Sequence, residues 1–570
     1  MFYLDKYNKW LESTHIDEET TNELKNITDN KEIEDRFYKD LEFGTAGLRG
    51  IIGAGTNRMN KYVVGKATQG YANYLIKNID KAKEKGVVIA YDSRHKSPEF
   101  AQNVASVLNA SGIKTYLFES LRPTPELSFS VRHLDCAGGI LITASHNPKE
   151  YNGYKVYAPD GAQILPHVAR VVLDEIDYIK DYSEVKYMEK EEAMDKGLLT
   201  IVGGEVDNIY IEKVKGLSLR EDVDKNMNIV YTPLHGTGNI PVRRVLEELG
   251  YKNVSVVKEQ ELPDPDFTTV YSPNPEEHDA FKLAIELGEK LGADLLLGTD
   301  PDCDRVGAVV KDNKGEYKIL TGNQTGALLV DYILGSLKEK DKLPSNGVII
   351  KTIVTNKMGE TIAKSHDIDV IDTLTGFKFI GEKIDQFEKD KSKSFLLGYE
   401  ESYGYSSGTF VRDKDAVISS MLISEMAAYY KTKNMSLYDA LNSLYEKYGY
   451  YKDETVSIKM EGKEGLEKIQ SIIEDFRSNP PKVIDNKRVK IFADYKTSKE
   501  INLIDGSESK ILLPESNVLH FTLEDDSWFC VRPSGTEPKI KIYFSVCGKT
   551  QEEADEKLEG IKKEVMEKIS

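Results

Sequence analysis

Cysteine is scarce in this chain. The sequence of 570 residues holds four cysteines, at Cys136, Cys303, Cys530 and Cys547, and none forms a CxxC pair. This spacing argues against a zinc site built on thiolates. A disulfide framework is also not expected in a chain of this size, which agrees with a reducing compartment and predicts a cytoplasmic protein.

The chain also lacks long hydrophobic runs and an excess of positive charge. No apolar run approaches the roughly 20 residues that span a bilayer. The first residues, Met1 to Lys6, do not follow the pattern of a signal peptide. The formal net charge of −19 argues against a general nucleic-acid binder. We therefore expect neither a membrane nor a nucleic acid as partner, and an anionic ligand would need a local cluster of Arg and Lys.

The length and the pattern of apolar runs predict four domains. Short apolar runs alternate with helical stretches from about residue 43 to residue 447, which is typical of βαβ units. After residue 447 the pattern changes to that of a smaller α+β domain. The prediction is three consecutive α/β domains with mixed, mainly parallel sheets, over 1–203, 204–315 and 316–447, followed by an α+β domain over 448–570.

A polar segment, Thr143 to Pro148, follows the apolar run 139–142. Loops at the carboxyl ends of strands in open α/β sheets are common ligand sites. Ser145 is a candidate nucleophile there, with His146 beside it, although a turn that serves only backbone geometry explains the same residues. The pair Asn152-Gly153 predicts a turn, after which the next strand carries Lys155 beside the loop.

Three carboxylates, Asp300, Asp302 and Asp304, follow the apolar run 295–297. In an extended loop, alternate side chains share a face, so the three predict one hard-metal site that suits Mg²⁺. An EF-hand is rejected because Arg305 and Lys311 stand where it needs Gly and Glu. A phosphatase of the haloacid-dehalogenase type, with Asp300 as nucleophile, stays open. Arg305 balances the carboxylates or contacts a phosphoryl group, and Cys303 faces the opposite side.

Two further segments carry polar side chains between glycines or prolines. Gly398–Gly404, with Glu400 and Ser402, suits sugar hydroxyls, although a helix N-terminus explains it equally well. Arg532–Pro538 combines an arginine with two hydroxyls around a glycine, which predicts a phosphate cradle, although a polar turn explains the same residues. The supporting basic residues are Arg49, Arg94 and Lys378, whereas His235 is interpreted as structural because glycines surround it.

Four segments in this order resemble the α-D-phosphohexomutase superfamily, in particular its phosphoglucomutase and phosphomannomutase members. They are Thr143–Pro148, Asp300–Arg305, Tyr399–Gly404 and Arg532–Pro538. The resemblance covers the chain from Arg49 to about Val546 and implies a heart-shaped, four-domain architecture.

The resemblance also implies a role for each matching residue. Ser145 would be the phosphorylated residue and would hold Mg²⁺ together with Asp300, Asp302 and Asp304. Arg49 and Lys155 would act at the reacting phosphoryl group, and Arg305 stays a further catalytic candidate beside them. Glu400 and Ser402 would bind sugar hydroxyls, and the non-transferring phosphate would be held by Arg532, Ser534, Gly535 and Thr536. Lys378 and Arg94 are further candidates for binding the substrate.

The implied reaction interconverts glucose 1-phosphate and glucose 6-phosphate through glucose 1,6-bisphosphate. Either Lys155 or His146 would move the proton. Tyr399 departs from the glycine that often stands in the family, so mannose or pentose phosphates stay open as substrates. A magnesium-dependent sugar phosphatase and a sugar-phosphate sensor are more distant alternatives. We expect a cytoplasmic monomer or weak dimer that acts on small sugar phosphates.

Overall fold

The computed structural model describes residues 2–44, 47–460, 462–533 and 539–569. Four β-sheets follow one another along the chain, three of them in α/β layers and the fourth antiparallel. This confirms the predicted fold class. Among the described helices, none combines the length and the apolar composition needed to cross a bilayer.

Three short helices precede the first sheet and pack through aromatic side chains. They are α1 (Phe2–Glu12), α2 (Glu18–Lys25) and α3 (Asn30–Phe37). The ring of Trp10 lies 5.7 Å from that of Phe37 and 5.6 Å from that of Tyr62 on the first domain. Aromatic pairs at such distances add to the stabilisation from burial, so this N-terminal layer is attached to the first domain.

The first domain is a six-stranded mixed sheet with helices on both faces. Its elements are β1 (Gly47–Ile51), α4 (Lys61–Asn78), α5 (Ala82–Lys85), β2 (Val87–Tyr91), α6 (Ser97–Ala110), β3 (Thr115–Phe118), α7 (Thr124–His133), β4 (Gly138–Ile142), β5 (Tyr151–Tyr157), α8 (Pro166–Tyr178), α9 (Lys190–Asp195) and β6 (Leu199–Val202). The strand order is β1-β5-β4-β2-β3-β6, with β4, β2, β3 and β6 parallel. The antiparallel β5 and β1 extend this sheet beside the Ser145 loop.

The second domain is built on a five-stranded sheet. Its elements are α10 (Gly204–Lys215), β7 (Asn228–Thr232), α11 (Asn239–Glu248), β8 (Asn253–Val256), α12 (Lys258–Glu261), α13 (Lys282–Leu291), β9 (Leu295–Thr299), β10 (Val306–Lys311) and β11 (Tyr317–Ile319). The order is β11-β10-β9-β7-β8. Because β11 pairs with β10, this sheet also includes residues 317–319, which lie just past the predicted boundary at residue 315.

The third domain has a smaller sheet with long helices around it. Its elements are α14 (Gly322–Glu339), β12 (Gly347–Thr352), α15 (Met358–Ser365), β13 (Asp369–Thr373), α16 (Phe377–Asp390), β14 (Ser394–Glu400), β15 (Gly404–Ser406), α17 (Ala416–Thr432) and α18 (Leu437–Tyr448). The order is β13-β12-β14-β15, with only the last pair antiparallel.

The fourth domain is an antiparallel sheet covered by two helices. Its elements are β16 (Tyr450–Lys459), α19 (Gly462–Ser478), β17 (Val483–Ile484), β18 (Lys487–Asp494), β19 (Lys499–Asn502), β20 (Glu508–Lys510), β21 (Leu519–Leu523), β22 (Trp528–Pro533), β23 (Lys539–Gly548) and α20 (Gln551–Ile569). The main order is β16-β23-β22-β21-β18-β19-β20. Apolar side chains of both helices pack on one face of this sheet.

One continuous apolar core runs through the first three domains. It joins Val88 of the first sheet, Tyr231 of the second and Ile349 of the third. A separate cluster joins the third domain to the fourth, through residues such as Val354 and Trp528. The first three domains therefore share one core, whereas the fourth is joined to the third by this separate cluster and by Tyr450 and Tyr451, which pack against the edge of the main core.

Candidate active site

Ser145 lies at the carboxyl end of β4 on a tight, buried loop. Its φ of 53° is in the left-handed region, which non-glycine residues rarely adopt. Its amide donates a hydrogen bond to Thr143 Oγ1 at 2.8 Å, and the Thr143 hydroxyl donates to the buried Asp92. The hydroxyl of Ser145 donates to Oδ2 of Asp300 at 2.7 Å. The loop therefore presents this serine to the carboxylates of the second domain.

Arg94 lies beneath the Ser145 loop and is 1 % exposed. Its guanidinium donates to the carbonyl oxygens of Ser145 at 2.5 Å, Pro148 at 2.9 Å and Tyr151 at 3.1 Å, and also to that of Asn147. The predicted contact of Arg94 with substrate stays a prediction, and these bonds give the side chain a second role. Because the loop folds back over the side chain, the guanidinium satisfies loop carbonyls and positions the loop.

His146 places an imidazole nitrogen beside the serine hydroxyl, on the same loop. Its Nδ1 lies 3.2 Å from Ser145 Oγ. Burial, together with the positive charges of Arg305 and Arg49, lowers the pKa of His146 well below its ordinary value. The imidazole is therefore neutral at pH 7, with one ring nitrogen able to accept a proton.

The three predicted carboxylates converge in the loop between β9 and β10. One carboxylate oxygen each from Asp300, Asp302 and Asp304 lies within 4.8 Å of the others. Asp300 Oδ1 accepts the amides of Asp304 and Arg305 at 3.1 and 3.0 Å, which holds the loop in a tight turn. Cys303 is buried on the opposite side, in the core, as predicted.

This carboxylate cluster fits a hard divalent cation. Oδ1 of Asp302 and Oδ1 of Asp304 are buried and have no hydrogen-bond partner among the described residues. Burial and the neighbouring carboxylates raise the pKa of Asp300 well above its ordinary value. Oxygen donors with unused lone pairs and mutual repulsion are the donor set that Mg²⁺ prefers. The residues present therefore suit this ion.

Two lysines from other domains compensate the carboxylates. Lys155 Nζ lies 2.7 Å from Asp302 Oδ2 and 3.5 Å from Asp304 Oδ2. Although burial lowers the pKa of Lys155, the two carboxylates outweigh it and raise that pKa. Lys414, from the third domain, lies 3.0 Å from Asp304 Oδ2. The sequence analysis missed Lys414, whose only signal is the charged run 412–415.

Lys155 reaches the cluster by a route that differs from the predicted one. Asn152 and Gly153 lie inside β5 and do not form a turn before it. Asn152 Nδ2 donates to the His95 carbonyl at 2.9 Å. A Cβ on Gly153 would collide with the backbone of Thr143 and Leu48, so glycine permits the close approach of neighbouring strands.

Two further residues that support the metal loop were not predicted. Thr124, at the start of α7, donates from its hydroxyl to Asp302 Oδ2 at 2.7 Å and from its amide to the Asp302 carbonyl at 2.8 Å. The amide of Thr237 donates to the Pro301 carbonyl at 2.8 Å. His235 contacts Leu262 and Thr269 through its two ring nitrogens, in agreement with a structural role.

Glu400 and Ser402 lie where β14 turns into β15. The segment is a hairpin, so the alternative of a helix N-terminus is wrong. Glu400 Oε1 accepts the amide of Gly376 at 2.8 Å. Glu401 accepts the Thr352 hydroxyl at 3.1 Å, and burial together with the charge of Glu400 raises the pKa of Glu401 to about 7. Two carboxylates therefore stand side by side in this turn.

Tyr399 points away from that turn into the core. It is completely buried and packs into a notch formed by Gly326 of α14 and Gly359 of α15. A Cβ on either glycine would collide with the tyrosine ring. The departure from the family's glycine is therefore matched by two glycines on neighbouring helices. It does not place an aromatic ring beside Glu400, because successive strand residues face opposite sides.

Arg532 and Lys378 lie together at the border of the third and fourth domains. Burial and the charge of Arg532 lower the pKa of Lys378 to about 8. Lys541, which was not predicted, pairs with Arg532 in the register of β22 and β23. The other predicted members of the phosphate cradle, Ser534, Gly535 and Thr536, lie outside the described residues.

The remaining predicted arginines, Arg49 and Arg305, both place positive charge near His146 of the Ser145 loop. Arg49, on β1, donates to Oδ1 of Asn147 at 3.3 Å. The guanidinium of Arg305 forms an ion pair with Glu276, and its Nε lies 3.9 Å from Asp304 Oδ1. Both arginines are close enough to Ser145 to add positive charge where an anion would form.

Comparisons with known proteins agree with this arrangement. Four family models match in order: "Phosphoglucomutase/phosphomannomutase, alpha/beta/alpha domain I" at residues 40–183, domain II at 208–315, domain III at 321–448 and the C-terminal domain at 459–565. A phosphoglucomutase of Staphylococcus haemolyticus is 40% identical over 513 residues, which are 90% of this chain and 91% of the relative. One of Staphylococcus epidermidis is 38% identical over 541 residues, 95% of this chain and 96% of the relative.

Solved structures share the fold. The Paramecium phosphoglucomutase parafusin, in its open form, matches with a TM-score of 0.66 at 19% identity, over 93% of this chain and 95% of that one. A phosphoglucomutase/phosphomannomutase family protein of Burkholderia thailandensis gives 0.66 at 18% identity, over 92% and 96%. With the matched models and relatives, these findings show that the chain belongs to the phosphoglucomutase/phosphomannomutase family of isomerases.

Proposed function

We propose that this chain interconverts glucose 1-phosphate and glucose 6-phosphate through a phosphorylated Ser145 and a glucose 1,6-bisphosphate intermediate. The observation that carries the proposal is the 2.7 Å contact between the Ser145 hydroxyl and Asp300, inside a cluster of three carboxylates. A serine beside a hard-cation site is suited to carrying a phosphoryl group. The staphylococcal relatives, which match along most of the chain, support glucose phosphate as the substrate.

The carboxylates would hold Mg²⁺ together with an oxygen on Ser145. Asp300, Asp302 and Asp304 provide the donors, two of them with unused buried oxygens. When bound, the ion would neutralise charge on the transferring phosphoryl group, which is a main contribution to catalysis of phosphoryl transfer.

The basic residues around Ser145 would orient the phosphoryl group and neutralise the rest of its charge. Lys155 and Lys414 reach the carboxylates from two other domains. Arg49 contacts Asn147 of the loop, and Arg305 lies beside Asp304. Charges placed before the reaction starts need little reorganisation as the transition state forms.

Each transfer breaks one bond from phosphorus to oxygen and forms another. The phosphoryl group passes from Ser145 Oγ to a sugar hydroxyl, which loses its proton, while Oγ gains one. His146 Nδ1, at 3.2 Å from Oγ, is placed to exchange the proton at the serine oxygen. Lys155 already contacts two carboxylates and is better placed to hold charge than to accept a proton.

The third and fourth domains would hold the rest of the substrate. Glu400 and Ser402 would bind sugar hydroxyls. Lys378, Arg532, Ser534, Gly535 and Thr536 would bind the phosphate that is not transferred. Because the bisphosphate must turn round between the two transfers, this cradle must accept either phosphate. Movement of the fourth domain relative to the third would allow that exchange.

We further propose a cytoplasmic monomer or weak dimer that acts on free sugar phosphates, without nucleic acid or membrane. The net charge of −19 and the four separate cysteines support this setting. Sedimentation at micromolar concentration would test the association state.

The test compares Ser145→Ala with Ser130→Ala. Ser130 is a buried serine of α7 whose hydroxyl bonds to a carbonyl of its own helix, so it controls for loss of a buried hydroxyl. Each variant is supplied with Mg²⁺ and glucose 1,6-bisphosphate. The substrate is the 1-phosphate of glucose, of mannose or of ribose, each in a separate assay. We expect Ser145→Ala alone to lose turnover and phosphate incorporation at residue 145. Full turnover in Ser145→Ala would overturn the proposal, and net phosphate release without Ser145 would indicate a phosphatase.

A further inference from the structure

A segment of the second domain, Pro263–Ser272, crosses to the first domain behind the Ser145 loop. At its centre, Phe267 is 1 % exposed. The ring centroid of Phe267 lies 4.9 Å from Cζ of Arg94, the arginine that holds the loop carbonyls. A buried aromatic face over a guanidinium stabilises the cation and restricts its position. This contact therefore ties Arg94 to the second domain.

The backbone of this segment is built to present Phe267. The φ angle of Phe267 is 46°, in the left-handed region, and this backbone conformation is costly for an aromatic residue. Asp264 Oδ2 accepts the amide of Thr268 at 3.0 Å and its hydroxyl at 2.7 Å, and the Phe267 amide donates to the Asp264 carbonyl at 3.1 Å. On the second domain, the ring of His235 lies 6.4 Å from that of Phe267.

Polar contacts flank Phe267 at the same boundary. Asp266 Oδ1 lies 3.2 Å from both His95 Nε2 and Lys149 Nζ of the first domain. The Ser272 hydroxyl donates to the carbonyl of His146 at 3.2 Å. The charged pairs are about half exposed and contribute little singly, so Phe267 is the buried anchor of this contact.

The position of this anchor matters because the reacting groups belong to different domains. Ser145 is on the first domain and its carboxylate partners are on the second. The contact between Phe267 and Arg94 crosses the same boundary without involving a reacting group. We propose that Phe267 is a positioning residue, which acts through Arg94 to aim Ser145 at Asp300. This inference rests on the proposed role of Ser145 as phosphate carrier.

The test uses Phe267→Ala and Phe267→Leu, with Phe281→Leu as matched control. Phe281 is a fully buried phenylalanine of the same domain that packs in an apolar cluster with Val230 and Leu296 of the second sheet. Turnover, the KM for glucose 1-phosphate and the rate of Ser145 phosphorylation by glucose 1,6-bisphosphate are measured for folded protein. Hydrogen–deuterium exchange of a peptide covering residues 143–152 reports on the loop directly.

We expect Phe267→Ala to lower kcat and the phosphorylation rate by about 10- to 100-fold, because small misplacements of reacting groups are costly. The KM for glucose 1-phosphate should stay within about twofold of the wild-type value. Phe267→Leu, which keeps an apolar side chain without a π face, should lie in between. Hydrogen–deuterium exchange in residues 143–152 should be faster than in the wild-type protein in both Phe267 variants, but not in Phe281→Leu.

Equal kcat and equal loop exchange in the Phe267 variants and Phe281→Leu would overturn the inference. If Phe267→Ala does not fold, Phe267→Leu decides the question by the same two readouts. If the wild-type protein takes no phosphate at Ser145, the proposed function fails. The exchange measurement would then still show whether Phe267 holds the loop.

Discussion

Lys414 of the third domain and Asp304 of the second form a nearly buried ion pair, with Nζ 3.0 Å from Oδ2. Lys155 of the first domain lies 3.5 Å from the same oxygen. Three domains therefore contribute charges to one cluster, and the balance of that cluster depends on how the domains pack. Removal of one member leaves a buried charge uncompensated, which is typically strongly destabilising.

Lys414→Met should lower the free energy of unfolding by about 3 kcal/mol in the absence of a divalent cation. Added Mg²⁺ should recover part of this loss, because the cation replaces the missing positive charge beside Asp304. Thermal or denaturant unfolding with and without Mg²⁺ measures both effects. Lys433→Met, at an exposed position just after α17, is the control and should change little. An equally small change in both variants would contradict this account.

Binding of Mg²⁺ should itself stabilise the protein through Asp300, Asp302 and Asp304. A ligand present at about 100 times its Kd adds about 2.7 kcal/mol to the stability of the state that binds it. Removal of the metal with a chelator should therefore lower Tm in the wild-type protein. Asp302→Asn should largely abolish the Mg²⁺-dependent shift, whereas the exposed Asp279→Asn should keep it. A full shift in Asp302→Asn would place the ion elsewhere.

Tyr399→Phe should leave stability unchanged or slightly higher. The Tyr399 hydroxyl is buried and has no hydrogen-bond partner among the described residues, so its removal loses no bond there. Tyr399→Ala should cost roughly 3–5 kcal/mol, since the notch between Gly326 and Gly359 would be left as a cavity. Denaturant unfolding measures both values. Relative turnover of glucose and mannose 1-phosphates should be the same in Tyr399→Phe, and a changed ratio would show that Tyr399 affects specificity.

Binding of sugar phosphate should weaken as pH rises through about 8, because the pKa of Lys378 is lowered to about 8. Only the protonated amine attracts a phosphate dianion. The Kd of glucose 1-phosphate, measured between pH 6.5 and 9.5 by calorimetry, should rise in the wild-type protein and stay flatter in Lys378→Met. The same slope in both would assign the pH dependence to another group.

Lys378 should also make stability depend on pH. Its pKa is lower in the folded state than in the unfolded state, so the charged form opposes folding below about pH 8, and the penalty disappears as pH rises above the unfolded pKa. Lys378→Met should therefore raise stability at pH 7 by on the order of 2–3 kcal/mol. Unfolding at pH 7 and pH 10.5 checks the sign, since the gain should shrink at the higher pH.

Much of the candidate site could be predicted because its parts are local. The apolar run before Thr143 and the run before Asp300 each predict a buried strand that ends in a polar loop, and both strands are present. The carboxylates of Asp300, Asp302 and Asp304 do converge, with Cys303 on the other side, but a tight turn brings them together and not the extended loop that was expected. Such patterns depend on backbone geometry over a few residues, which sequence spacing reports well.

The direction of single side chains could not be predicted in the same way. Arg94 was expected at the substrate, yet the loop from Ser145 to Tyr151 folds back over its guanidinium. Asn152 and Gly153 were expected in a turn, yet close packing of three strands places them inside β5. In both cases the deciding neighbours are distant in the chain, and spacing carries no information about them.

The sequence by itself determined the strand ends, the polar loops that follow them and the order of four domains. Only the tertiary structure decided which distant side chains meet. Lys414 pairs with Asp304, Phe267 packs on Arg94, and Tyr399 fills the notch between two glycines. The physical reason is that local backbone preferences act over a few residues, whereas burial of charge and close packing depend on which surfaces the folded domains bring together.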